Sequence, residues 1–142
     1  LPNLVAVYLK MDGEKMSQII IPVEGLGLFG KMYGFLALDS DTTTVRGIAF
    51  YENRETPGLG GEVTNPRWTA LWSGRHAYDE NWRPSITLVK GNAGPPQQDP
   101  YHVDALSGAT MTSNGVTHML HFWLGEHGFG PFLHNLRAQR ST

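Results

Sequence analysis

Apolar and polar positions alternate through the first third of the chain and shift to a helical period in its last third. Leu4–Lys10 (LVAVYLK) is a short run of strand formers, followed by Asp12-Gly13, a favoured hairpin turn. Lys15–Val23 (KMSQIIIPV) reads as the returning strand, and Gly25, Gly27 and Gly30 then interrupt the pattern. Tyr33–Asp39 (YGFLALD) and Thr43–Glu52 alternate again, and the Asp39-Ser40-Asp41 turn between them predicts a second hairpin. Asn53–Gly61 (NRETPGLGG) is loop, because its Pro and Gly residues prevent regular structure. Asn65 and Pro66 supply a cap and a first helical position for a short helix ending at Trp72. Ser85–Lys90 (SITLVK) is a late strand, and Gly91–Pro100 a Gly/Pro loop. Apolar residues recur at helical spacing from Thr112 to Glu126, and Phe129–Arg140 predicts a last short helix.

Strands come early and helices late, and hairpins take the place of strand–helix–strand units. That order predicts an α+β fold: an antiparallel sheet built from hairpins, with helices packed against it. The 142 residues fit one domain, 1–142, and 40% hydrophobic residues supply its core.

Charge and composition remove several function classes. The net charge is −2 and the 11 Lys and Arg are scattered, which argues against nucleic acid and against polybasic membrane contact. With no cysteine, disulfides, thiolate catalysis and Cys-ligated metal centres are excluded from this chain. His118 and His121 share a helical face, but three or four convergent ligands are needed for zinc, and no His-Glu-x-x-His pattern exists. No metal site is therefore expected. Gly25–Gly30 (GLGLFG) matches a dinucleotide fingerprint in letters only. That motif needs a helix directly after it, whereas Lys31–Leu36 is strand-like.

The cluster Ser107-Gly108-Ala109-Thr110, with Thr112 and Ser113, stands just ahead of the predicted helix. It lacks the Gly-x-Ser-x-Gly elbow of a hydrolase, so no catalytic residues are assigned. Two readings stand. Thr112 or Ser113 caps the helix. Alternatively, the small pair Gly108-Ala109 lets an anion approach the helix N-terminus, where Thr110 can touch a phosphate or be esterified to it. Trp68, Trp72, Trp82 and Trp123 are each either core or able to stack on a planar ligand.

"DALSGATMTSNGV", with "ETPGLGG" about fifty residues upstream, resembles the FMN-binding domain in the C subunit of Na⁺-translocating NADH:quinone reductases, which is related to the G subunit of the Rnf complex. The resemblance implies FMN joined through its phosphate to the hydroxyl of Thr110 by a flavin transferase that uses FAD. It implies that Asp104, Ser107, Gly108 and Ala109 complete the motif the transferase reads. Lys90 is then the candidate phosphate counter-charge, or else a solvated strand end. Thr56, Gly58, Leu59 and Gly60 are the candidate ring contacts, or else an ordinary turn.

The resemblance further implies an electron carrier that works with the other subunits of a membrane redox enzyme, without binding NADH itself. It implies a soluble fragment of a longer, membrane-anchored protein, placed on the periplasmic face of a bacterial inner membrane. The alternatives are an Rnf-type electron-transport protein, and a non-redox periplasmic interaction module in which the Ser-Gly-Ala-Thr cluster is only a cap.

Overall fold

A computed structural model describes residues 6–140. Its centre is a four-stranded antiparallel sheet in the order β1 (Tyr8–Asp12), β2 (Lys15–Leu26), β3 (Lys31–Asp39) and β4 (Val45–Glu52). The first strand sits later than the Leu4–Lys10 pattern suggested, and Leu4 and Val5 lie outside the described residues. The turn is Gly13-Glu14, one residue on from Asp12-Gly13, with Asp12 paired to Lys15 and Gly13 at φ +64°. Glycine at the first central position is what a II′ hairpin requires.

β2 does not stop at Val23. It runs through Gly25 to Leu26, its register with β3 unbroken from Gln18↔Asp39 to Leu26↔Lys31. Pro22 is tolerated because β1 pairing ends at Ile20, which leaves the proline on an open edge. Period-2 alternation turns Ile19, Ile21, Val23, Met32, Leu36 and Leu38 to one face. In β4 a register shift opposite Ala37/Leu38 makes Arg46 an extra residue, so Val45 and Ile48 both point inward despite their odd spacing.

That inner face packs against α2 (Thr110–Leu124), which buries Val116, Met119, Leu120, Trp123 and Leu124 at helical spacing. The Trp123 indole N–H donates to the Glu24 carbonyl at 2.8 Å and pins the helix to β2. A short helix, α1 (Pro66–Thr69), starts as the sequence indicated: Asn65 Oδ1 accepts from the Arg67 N–H at 2.9 Å. α3 (Gly130–Arg140) is the last described element, with Leu133 buried.

The late strand is β5 (Thr87–Val89), and it pairs in parallel with β6 (His102–Asp104). This departs from an all-hairpin layout. β6 is only His-Val-Asp, one apolar residue between two polar ones, too short to register as a strand. The pair matters for position. Leu88 N–H donates to Thr117 Oγ1 at 3.0 Å, and His121 Nε2 lies 2.8 Å from the Ile86 carbonyl, so β5 is tied to the flank of α2. The antiparallel main sheet with helices against it makes the fold α+β, as the order of elements predicts.

Candidate cofactor-binding site

The residues ahead of α2 are shaped by one buried hydroxyl. Ser113 Oγ donates to the Ala109 carbonyl (2.9 Å) and accepts from the Leu106 N–H (3.0 Å), folding Leu106–Ala109 back over the first turn. Gly108 follows this bend at φ +72°, in the left-handed region. The helix begins at Thr110, two residues earlier than its apolar period indicated.

The capping reading is not realised. Ala109 occupies the cap position, and no side chain among the described residues caps the helix. Ser113 is engaged with Ala109 and Leu106, and Thr112 donates its hydroxyl to Glu55 Oε1 at 2.5 Å. Among the described residues the backbone N–H groups of Thr110, Met111 and Thr112 have no acceptor. They form a donor set at the positive pole of a 15-residue helix. The Thr110 side chain beside them is exposed.

Two hollows meet at this point. The first, about 280 Å³, has an apolar wall of Leu28, Phe29, Leu59 and Met111, completed by Thr56, Gly60 and Gly108–Thr112. The second, about 450 Å³, is more polar. Lys90, Asn92, Asp104, Ser107 and Asn114 line it. Gly108 and Thr110 belong to both, so Thr110 stands on the crest between an apolar hollow and a polar one.

The sequence candidates therefore divide. Thr56, Leu59, Gly60, Ala109 and Thr112 lie on the apolar side, and Lys90, Asp104 and Ser107 on the polar side. Gly58, exposed at φ +81°, lines neither hollow, so the loop's contribution narrows to its neighbours. Asp104 Oδ1 accepts from the Ala93 N–H at 2.7 Å, which holds the far rim of the polar hollow. Among the described residues no tryptophan lines either hollow. Trp68, Trp72 and Trp123 are buried in the core, and Trp82 stacks on Tyr78 with ring centroids 3.8 Å apart.

Sequence reasoning passed over Glu55, Leu28 and Phe29. Glu55 is 6% exposed. Its Oε1 accepts from the Leu28 N–H at 2.7 Å and its Oε2 from the Phe29 N–H at 3.0 Å, so it grips the turn between β2 and β3. Burial pushes the carboxyl pKa up, but hydrogen bonds from the Thr112 hydroxyl and from the Phe29 and Leu28 amides outweigh it. The net effect holds the group below its ordinary value. Two glycines make room. A Cβ on Gly27 would run into the Glu55 carboxylate, and one on Gly60 would meet Thr112 Oγ1 at 2.6 Å. The available signal was an acid directly before a Gly-rich loop, paired with a second Gly-rich turn far away in sequence.

Free amide donors, an exposed hydroxyl and an apolar hollow on one side of it fit a ligand with an anionic group and a flat apolar body. Comparison with known proteins agrees. The C subunit of the Na(+)-translocating NADH-quinone reductase from Yersinia pestis is 52% identical over 136 residues, which is 95% of this chain and 50% of that protein. Its Pseudomonas aeruginosa counterpart is 51% identical over 132 residues, 92% of this chain and 51% of its own. The crystal structure of Shewanella oneidensis NqrC superposes with a TM-score of 0.87 at 40% identity, over 93% of this chain and 60% of that one. This chain thus spans about half the length of the reductase proteins it matches. The FMN-binding domain family matches residues 27–125, from the β2–β3 turn to the end of α2. Both hollows fall inside that match, and the chain belongs to the FMN-binding domain family.

Proposed function

We propose that this chain is the FMN-carrying domain from the C subunit of a Na⁺-translocating NADH-quinone reductase, with FMN joined through its phosphate to Thr110 Oγ1. The observation that carries the reading is the placement of Thr110. Its exposed hydroxyl stands beside three unpartnered N–H groups, on the crest between the apolar and polar hollows. Flavin supplies one- and two-electron redox chemistry when bound.

The chain's own groups divide the remaining work. The first-turn amides of α2 receive the phosphate, and the helix dipole favours its charge. Lys90, on the polar side, offsets charge there. Leu28, Phe29, Leu59 and Met111 receive the ring and exclude water from its inner face. The chain passes electrons between its partners in the enzyme and does not itself bind NADH. The Gly25–Gly30 stretch is a strand end and turn leading into β3, without the helix a nicotinamide dinucleotide site needs. The domain sits on the periplasmic face of the membrane-bound enzyme.

Attachment balances simply. The Thr110 hydroxyl oxygen bonds to the FMN phosphorus of FAD, the pyrophosphate bond breaks, and AMP leaves with the hydroxyl proton. A flavin transferase carries out this step during maturation. The test is intact mass under denaturing conditions after co-expression with such a transferase. A gain of one FMN less one water, absent in Thr110→Ala, supports the reading. No gain in the parent chain under an active transferase refutes the phosphoester, and whether the undenatured protein is yellow or colourless then separates dissociable FMN from a non-redox module.

A further inference from the structure

We propose that Glu55 is the positioning residue of the apolar hollow: it fixes the Leu28–Phe29 wall against the first turn of α2, and its charge lowers the reduction potential of the ring held there. The inference rests on the FMN reading above.

Glu55 is the one buried carboxylate among the described residues, and no Lys, Arg or His forms an ion pair with it. Its hydrogen-bond partners come from two segments far apart in sequence, the β2–β3 turn and α2. Leu28, Phe29 and Thr112 all line the hollow, and Glu55 stands directly behind them. Two glycines, Gly27 and Gly60, keep its site clear of side chains. Three donors, two backbone amides and a hydroxyl, converge on this carboxylate, so the strut needs an acceptor here and an apolar group would leave them unpaired. Burying a carboxylate is costly, and no cation among the described residues pairs with it. Its charge therefore acts on whatever the hollow in front of it receives. Fixed negative charge one residue layer from a ring opposes added electron density on it. Removing that charge raises the ring's potential.

The test uses three chains matured with the transferase: the parent, Glu55→Gln and Thr112→Val. Glu55→Gln keeps the size and removes the charge, while Thr112→Val keeps the charge and removes one of its hydrogen bonds. The readouts are flavin loading by intact mass, midpoint potential, visible absorption, and amide exchange at Leu28 and Phe29 in the unloaded chains. Glu55→Gln is expected to shift the potential upward, perturb the flavin absorption bands and speed exchange at these two amides by about tenfold or more. Thr112→Val is expected to leave the neutral-pH potential nearer the parent's. It moves the carboxyl inflection in the potential–pH profile to higher pH, because one interaction that lowers the pKa is gone. A loaded Glu55→Gln with the parent's potential and spectrum overturns this inference and leaves the FMN reading intact. Should Glu55→Gln not fold, a Thr112→Val profile identical to the parent's overturns it equally. A parent chain that takes no FMN overturns the cofactor reading, and this inference with it.

Discussion

Ser113→Ala removes one hydroxyl, and the structure says what that costs. Ser113 Oγ bridges the Leu106 N–H and the Ala109 carbonyl, and all three residues are buried. The Ala109 carbonyl keeps the Ser113 N–H at 3.0 Å, so that acceptor stays satisfied. The Leu106 N–H loses its acceptor. A buried N–H left unpaired costs about 1–3 kcal/mol. The higher helix propensity of alanine offsets about 0.5 kcal/mol of this. The expected net loss is about 1.5 kcal/mol. For 142 residues the entropy of unfolding is about 0.3 kcal/mol per kelvin, so Tm should fall by about 5 °C. Urea unfolding followed by tryptophan fluorescence should show a lower midpoint at unchanged slope. Faster exchange at the Leu106 amide, with distant core amides unchanged at low denaturant, would localise the loss. A loss under about 0.5 kcal/mol would mean that the hydroxyl does not hold the segment, and the account of how Gly108 and Thr110 are positioned would fail.

Gly60→Ala places a methyl 2.6 Å from Thr112 Oγ1 and 2.9 Å from Glu55 Cβ, both held by their mutual hydrogen bond. It should destabilise by about 1–3 kcal/mol in a urea titration, and a neutral result would show that the walls of the hollow yield. Tyr78→Phe removes a buried hydroxyl that donates to the Leu124 carbonyl at 2.6 Å at the end of α2, for an expected loss of about 1 kcal/mol. Burial pushes the Tyr78 phenol far above its ordinary range, so an alkaline absorbance titration should fall one tyrosine short until the chain unfolds. Glu55 has a folded-state pKa below its unfolded value. It contributes stability above the unfolded value and loses it as pH falls through the folded one. Stability from about pH 7 down to about pH 3 should therefore fall less steeply in Glu55→Gln, and an unchanged acid limb would contradict this.

The main sheet could be read in advance because β2, β3 and β4 each expose one face to a core, and period-2 alternation records that directly. The Asn65-Pro66 start was readable because a cap is local chemistry. What stayed hidden is long-range. β6 is a strand only because β5 lies beside it. Gly25 looked like a breaker but continues a strand, since it lies on the face where α2 crosses and a Cβ there would strike Met119. Thr112 looked like a cap, and nothing nearby showed that its hydroxyl is taken by Glu55, 57 residues earlier. Ser113 looked like one too, but its hydroxyl turns back to Ala109 and Leu106 in its own segment. Glu55 drew no notice within its loop. Its burial depends on amides 26 and 27 residues earlier and a hydroxyl 57 residues later.

A hollow of about 280 Å³ lies just below the usual size of sites that retain a small molecule by contact alone. The crest position of Thr110 changes what such a hollow must do. A freely exchanging ligand is held by contact energy against dilution. A group anchored on the crest, as proposed for Thr110, is held by connectivity, at an effective concentration on the order of millimolar over its neighbouring surface. Occupancy then depends on the local balance between docked and undocked, whatever the bulk supply. Weak contact suffices, and one side of the ring can remain open to whatever approaches.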